Sequence, residues 1–446
     1  LETWNTPKLK LQAINMKHIL IALLLAPLSA LHAADASSQK PNIIVIMADD
    51  LSHRNLGCYG AVNFETPHLD KLAAGGMRFD HCYSMPLCTP SRVALMTGQH
   101  NGRNFSRAST LEADQRTFGD VSKDAGYTTC VVGKWKLTGK SKESTPERFG
   151  FDEHCVTEGL RNDSPRYKNP DILRNGKVEK HMGGEYGPDI VCDHAVDFIE
   201  RRKDKPFLLY YPMVLVHAPL SPVPSSPGYE AADQRTDEKA NYPDMVRRMD
   251  ANVGRIIAKL DALGLRERTL VLFTGDNGSK NGVEMKLKDG TVYPGGKGKT
   301  SDTGVHVPLI VNQPGRVPAG VSDALVGFTD FLPTIAEITG VKLTTDIACD
   351  GQSFLAHCRG NKDATGREWI YQWFANNPQV DEVVEVVFDR EFRLYGDGRF
   401  FHWSADLHET MPFETAQLVG PAKAAHTKLL TALQSSRAGF QRPLSE

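Results

Sequence analysis

The sequence has no Cys-x-x-Cys pair, no long block of basic residues, no internal repeat and no low-complexity tract. Without closely spaced cysteines, a thiolate zinc site has no ligand frame. Without a basic block, a nucleic acid finds no surface to neutralise its phosphates, and the formal net charge is −2. That balance does not bar an anionic substrate, because a local cluster of cations is enough to hold one. Long apolar runs are also missing. The run Ile19 to Leu28 is too short to span a bilayer as a helix, and no other stretch exceeds what a spanning helix needs.

That short run has a specific setting. Met16 is followed by Lys17 and His18, then the apolar run, then Ser-Ala-Leu-His-Ala-Ala-Asp-Ala. A positive start, a short apolar middle and a small-residue end make a signal peptide over residues 16–36. The protein is therefore expected to be exported, to the periplasm or the extracellular space. No cysteine follows the apolar run, so a lipid anchor, or any other stable membrane anchor, is not expected. Residues 1–15 precede Met16 and read as a non-native or mis-started extension. Export permits disulfides among the eight cysteines. Cys349 and Cys358 are close enough in sequence to pair. Cys130, in Thr-Thr-Cys-Val-Val, reads as a buried strand cysteine.

At 446 residues, 40% hydrophobic and 24% charged, the chain can form a large domain and a smaller one. Asn42 to Ala48 is a continuous apolar run, the pattern of a strand covered on both faces. Strand patterns recur at Tyr127 to Val132, Pro206 to Val216 and Thr269 to Thr274. Helical periodicity marks His68 to Gly75, Ile190 to Arg202 and Asp244 to Leu263. This alternation predicts an α/β fold with a largely parallel central sheet flanked by helices, over residues 41–340. Beyond Gly340 come short strand patterns at Trp369 to Phe374, Val383 to Phe388, Phe392 to Tyr395 and Phe400 to Trp403, then a helix at Ala422 to Leu433. They predict a small C-terminal α+β subdomain with an antiparallel sheet, residues 341–446.

Ligands of open α/β sheets bind beyond the carboxyl ends of the strands. Asp49 and Asp50 follow the first strand, Asp276 and Asn277 follow Thr269 to Thr274, and His217 follows Pro206 to Val216. Three carboxylates and one amide carbonyl form an all-oxygen set suited to calcium or magnesium rather than zinc. The plainer reading is that each pair caps a turn. Cys88-Thr-Pro-Ser-Arg92-Val-Ala-Leu-Met-Thr-Gly98 places Pro90 in the first turn of a helix. Cys88 then sits at a helix N-terminus, where N–H groups favour negative charge, with Arg92 one turn further on. A structural cysteine before a helix is the alternative.

The stretch Cys-x-Pro-Ser-Arg-x-x-Leu-x-Thr-Gly resembles the activation motif of the sulfatases, in the alkaline phosphatase superfamily. The opening strand with Asp49-Asp50, Thr66-Pro-His-Leu-Asp70 to Phe79, Gly133-Lys134-Trp135, His217-Ala-Pro219, Thr274-Gly-Asp276-Asn277-Gly278 and Gly295-Gly-Lys297 resemble further family motifs in the same order. The resemblance implies an alkaline phosphatase-like fold and hydrolysis of sulfate from a sulfated carbohydrate or a small sulfate ester. It implies that a formylglycine-generating maturation enzyme oxidises Cys88 to formylglycine, whose hydrate attacks sulfur. The second hydroxyl then lets sulfate leave by elimination, an exit that a serine ester lacks. Asp49, Asp50, Asp276, Asn277 and residue 88 are implied to bind Ca2+, with Mg2+ the other option. Arg92, Lys134 and Lys297 are implied to meet the negative charge of the sulfuryl group. His217 is implied to contact a sulfate oxygen or assist the leaving alcohol.

Three departures stand out. Lys136 occupies a position where the family often has histidine, which leaves the elimination base open. Asp302-Thr-Gly304 and His306-Val-Pro308 replace Glu-Gly-Gly and Arg-Val-Pro, and read as changes in supporting structure. Specificity is expected from Ser141 to Gly187, Tyr229 to Tyr242 and the C-terminal subdomain. There Arg161, Arg166 and Lys168 read as exposed loop charges, with contact to a second anionic group the alternative. Two other functions fit the same residues: hydrolysis of phosphate or phosphonate esters, and a non-catalytic protein that binds sulfated glycans.

Overall fold

The run that opens the fold is buried on both faces, as its composition demands: Ile43, Ile44, Val45, Ile46 and Met47 are all fully covered. Alternate residues enter different cores. Ile44 and Ile46 pack with Val191, Phe198, Met249 and Val253. Ile43, Val45 and Met47 pack with Val93, Phe118, Phe331 and Ile335 on the other face. The computed structural model describes residues 2, 40–139, 144–157, 165–233, 236–344, 347–379 and 381–439. The segment expected to be a signal peptide, residues 16–36, together with residues 3–15 and Arg161, lies outside them.

In chain order the strands are β1 (Asn42–Ala48), β2 (Met77–Tyr83), β3 (Thr128–Lys134), β4 (Glu153–Thr157), β5 (Asp171–Arg174), β6 (Lys177–Lys180), β7 (Phe207–Pro212), β8 (Thr269–Gly275), β9 (Glu284–Lys286), β10 (Val292–Pro294), β11 (His306–Asn312), β12 (Gly320–Gly327), β13 (Ile370–Phe374), β14 (Val384–Phe388), β15 (Arg393–Tyr395) and β16 (Phe400–Phe401). Ten of them form one sheet, in the order β12-β2-β11-β8-β1-β7-β3-β4-β5-β6. Its centre, β8-β1-β7-β3-β4, is parallel throughout. Helices Gly187–Arg201 and Tyr242–Ala262 cover one face, and Cys88–Thr97, Phe118–Asp124 and Phe331–Thr339 the other. Strands β13 to β16 form a separate antiparallel sheet of four. The terminal helix, Gly420–Ala438, outlasts its expected span and buries Ala425, Leu429, Ala432 and Leu433, the spacing of one helical face. No helix among the described residues is long and apolar enough to cross a membrane.

The expected architecture is therefore the observed one, with local corrections. The strand expected over Pro206 to Val216 stops at Pro212. Beyond it the chain keeps single bonds to the end of β1, from Met213 N to Met47 O at 2.8 Å and from Val216 N to Asp49 O at 2.7 Å. This irregular stretch carries His217 toward Asp50. The strand expected through Trp403 ends at Phe401. Cys349 and Cys358 are not bridged; both thiols are free. Cys130 is fully buried in β3, as expected. β11 was masked in the sequence by Pro308. Its pairing with β2 shifts register between Val307 and Leu309, where proline has no N–H for the ladder.

Candidate active site

Adjacent parallel strands bring the two acidic pairs together. Ala48 at the end of β1 is in register with Gly275 at the end of β8. Asp49, Asp50, Asp276 and Asn277 therefore leave the sheet side by side, and all four are buried. Asp50 N donates to Asp276 Oδ1 at 2.9 Å, across the seam. Asp50 has φ 61°, a left-handed conformation that aspartate tolerates better than most side chains.

Cys88 opens the helix Cys88–Thr97, and the N-cap residue Leu87 has no side chain able to cap the first-turn N–H groups. The helix start therefore keeps donors for an incoming anion. Cys88 Sγ and one carboxylate oxygen each from Asp49 and Asp276 lie within 4.8 Å of one another. The turn before the helix is tied down. Met85 N donates to Ser91 Oγ and Ser91 Oγ donates to Met85 O, both at 3.0 Å. Asn101 Nδ2 donates to Pro90 O at 3.0 Å.

Three cations close on the three carboxylates. Lys134 Nζ lies 2.5 Å from Asp49 Oδ2, with both side chains fully buried. Arg92 reaches Asp276 Oδ2 at 3.1 Å and the backbone carbonyl of Lys134 at 2.8 Å. Lys297 Nζ lies 2.7 Å from Asp50 Oδ2. Lys134 comes from the end of β3, where Gly133 (φ 111°) is required: a Cβ there would sit 2.1 Å from Pro212 O of the neighbouring strand. His217 Nε2 lies 3.9 Å from Asp50 Oδ2. Nine predicted residues thus form one connected site. The tenth, Lys136, is half-buried two residues past Lys134, on a left-handed backbone with φ 45°.

The charges are strongly coupled. Burial alone would raise the Asp49 carboxyl, but Lys134, His217, Arg92 and Lys297 outweigh it and hold the group below the usual carboxylate range. Burial and the nearby Asp49 charge push Asp276 up to about 7, against Arg92 and Lys134. Burial, with Lys134 and Lys297, lowers His217 to about 4 and keeps the ring neutral. Formally, three carboxylates and three cations cancel. A bound divalent cation would leave the pocket with a net charge of about +2, suited to an anionic ester.

The residues fit a hard divalent cation on their own chemistry. Asp49 Oδ1 and Asn277 Oδ1 are buried oxygens with no hydrogen-bond partner among the described residues. The Asn277 amide cannot be turned over, because Nδ2 donates to Asp50 Oδ1 at 2.8 Å and to Gly278 O at 2.9 Å. Its oxygen is left as an acceptor, as an oxygen-rich cation site requires.

Some contributors were not legible as such. Arg166, which the sequence pattern presents as an exposed loop charge, is half-buried with Nη1 3.1 Å from His217 Nδ1. Lys168 instead donates to Tyr229 O at 3.0 Å and Glu230 O at 2.6 Å, fastening two loops together. Asp302 and His306 do form supporting structure: Asp302 Oδ1 lies 2.9 Å from His306 Nδ1, and Tyr293 OH donates to Asp302 Oδ2 at 2.7 Å. His306 stacks on His53 at 3.7 Å, three residues after Asp50. Gln372, from β13, donates to Ser84 O at 2.5 Å, just ahead of the nucleophile turn.

Known proteins resemble this chain in sequence and fold. The family model for sulfatases matches residues 41–341. N-acetylgalactosamine-6-sulfatase of Canis lupus familiaris is 32% identical over 374 residues, covering 76% of this chain and 70% of that protein. N-acetylgalactosamine-6-O-sulfatase of Bacteroides thetaiotaomicron is 31% identical, covering 76% of this chain and 80% of that protein. A solved structure from work on glycosaminoglycan metabolism by Bacteroides thetaiotaomicron superposes with a TM-score of 0.73 at 25% identity, over 90% of this chain and all of that one. The chain belongs to the sulfatase family, enzymes that hydrolyse sulfate esters.

Proposed function

We propose that the protein removes sulfate from a sulfated carbohydrate, using formylglycine made from Cys88 by a maturation enzyme of its host. The observation that carries this reading is the meeting of Cys88, Asp49 and Asp276 at one point, ringed by Arg92, Lys134 and Lys297. Asp49, Asp50, Asp276, Asn277 and residue 88 hold the cation, calcium by preference and magnesium as the other option. When bound, that ion supplies Lewis acidity toward the sulfate oxygens and the nucleophile. A hydrated aldehyde at residue 88 supplies two hydroxyls on one carbon, one to accept the sulfuryl group and one to release it.

The chain's own residues do the rest. The N-terminus of the helix Cys88–Thr97 favours negative charge at residue 88. Lys134 and Lys297 stand at the carboxylates of Asp49 and Asp50, within reach of an anion bound above them. Arg92 locks Asp276 and the Lys134 backbone in place, so its role is bracing as much as binding. His217 faces Asp50 through Nε2 and addresses an oxygen of the ester. Lys136 is a candidate for the base that begins sulfate release. N-acetylgalactosamine 6-sulfate is the first substrate to assay, since two relatives above 30% identity carry that activity in their names. The signal-peptide pattern makes the periplasm or the extracellular space the working compartment.

A panel of sulfated mono- and oligosaccharides, with an aryl sulfate and an aryl phosphate alongside, tests the reading by release of inorganic anion. Sulfate release should dominate, residue 88 of active enzyme should carry an aldehyde by peptide mass, and Cys88→Ala should abolish turnover. Full activity with an intact cysteine would overturn the mechanism, and faster release of phosphate would overturn the substrate class.

A further inference from the structure

Arg166 approaches the site from a segment that contributes none of the nine residues in the connected site. Its Nη1 lies 3.1 Å from His217 Nδ1, across 51 positions of sequence. The approach is rigid. Tyr167 OH donates to Val214 O at 3.0 Å and also to His217 O. Gly187 N donates to Tyr167 O at 2.7 Å, and a Cβ on Gly187 would sit 2.1 Å from Arg166 O. The Arg166 segment and the His217 turn are one packed block.

A guanidinium has only donors, so Nδ1 must accept. In a neutral imidazole the proton then resides on Nε2. That nitrogen is the one 3.9 Å from Asp50 Oδ2, on the anion side of the ring. A second contact competes: Ala218 O lies 2.5 Å from the same Nδ1 and asks for a proton there. Nδ1 cannot serve both partners. With the proton on Nδ1, two N–H groups, one of them cationic, would face each other. The bond from a charged donor is the stronger of the two choices.

We propose that Arg166 is a positioning residue that selects the Nε2–H tautomer of His217, so that the ring donates a hydrogen bond from Nε2 to an oxygen of the bound ester. No proton changes hands in this step. The acceptor oxygen rests on the sulfatase reading; the tautomer does not.

The test uses full-length protein carrying 15N-labelled histidine rings, as wild type, Arg166→Met and Arg166→Lys. Long-range 1H–15N correlation reads the tautomer, with the His217 signals identified by their loss in His217→Gln. Wild type should show the proton on Nε2. Arg166→Met should move it to Nδ1, toward Ala218 O, and Arg166→Lys should restore part of the wild-type pattern. In parallel, kcat for an aryl sulfate should fall roughly tenfold in Arg166→Met, with a smaller change in KM and an unchanged unfolding temperature. A proton on Nδ1 in wild type would overturn the proposal. So would an unchanged tautomer in Arg166→Met, or a tautomer that moves while kcat stays constant. A rise in KM alone would overturn it in favour of direct substrate contact. If the tautomer shifts as described but wild type releases no sulfate from any ester, the tautomer assignment stands and the sulfatase reading fails. Should Arg166→Met not fold, the Arg166→Lys spectrum and kcat decide on the same criteria.

Discussion

Arg92 and Asp276 form a buried ion pair, 3.1 Å from Nη2 to Oδ2, that joins the helix Cys88–Thr97 to the end of β8. The same guanidinium donates to Lys134 O at 2.8 Å, so one side chain ties three segments. Lysine cannot match this, since it offers one point charge in place of a planar fork. Arg92→Lys should therefore lose most sulfate release while retaining the fold. Arg92→Ala should cost about 3–5 kcal/mol in stability, because it leaves Asp276 buried without its cation. Denaturant unfolding and sulfate-release assays on both variants check this. Equal activity in Arg92→Lys would mean that the fork geometry is dispensable.

The acidic pairs were legible because each interrupts a continuous apolar strand, and parallel neighbours place such interruptions at one edge of the sheet. The motif around Cys88 was legible from Pro90 and the helical pattern behind it. Arg166 was not. Its partner, His217, lies beyond three strands and a helix, and a loop arginine has no periodic signal that distinguishes a buried contact from solvation. Gln372 was hidden for a related reason: a polar residue in a short strand reads as the wet face of an edge. Pro308 hid β11 by breaking the apolar run that identified the other strands. Pairings between distant loops carry no local signature, whereas strand ends and helix starts do.

Calcium should stabilise the protein. Asp49 Oδ1 and Asn277 Oδ1 are buried acceptors without hydrogen bonds among the described residues, and a cation would satisfy both. Free calcium at a hundred times its dissociation constant adds about 2.7 kcal/mol to stability. Chelation should lower the unfolding temperature and calcium should restore it. Asn277→Ala should blunt that response. An unfolding temperature indifferent to chelator and to calcium would remove the cation assignment.

Acid should weaken the fold through a buried histidine. His194 is buried, and Arg174 Nη1 lies 2.8 Å from its Nδ1. Burial and that cation lower its folded-state pKa to about 4. An unfolded histidine titrates near 6.5. Between these values the unfolded chain binds the extra proton, so stability falls as pH drops from about 6.5 to about 4. The full contribution is about 1–3 kcal/mol. His194→Gln should flatten this part of a stability-against-pH curve measured by urea unfolding. A curve identical to wild type between pH 6.5 and 4 would show that His194 is not the titrating group.

The C-terminal sheet should matter to catalysis through Gln372. Its Nε2 donates to Ser84 O at 2.5 Å, and Ser84 N in turn donates to Val305 O at 2.9 Å. The next residue, Met85, is held to Ser91 by two bonds, and Ser91 lies one turn into the helix that Cys88 begins. β13 therefore braces the approach to residue 88 from outside the large sheet. Gln372→Leu keeps the bulk but leaves a buried carbonyl unpaired, at a cost of about 1–3 kcal/mol. If the brace positions residue 88, kcat should fall further than the lost stability explains, with KM little changed, because Gln372 is buried and acts through the Ser84 carbonyl. Sulfate-release kinetics at a temperature where both proteins are fully folded separate the two effects. A variant with lower stability and wild-type kcat would confine Gln372 to holding the two sheets together.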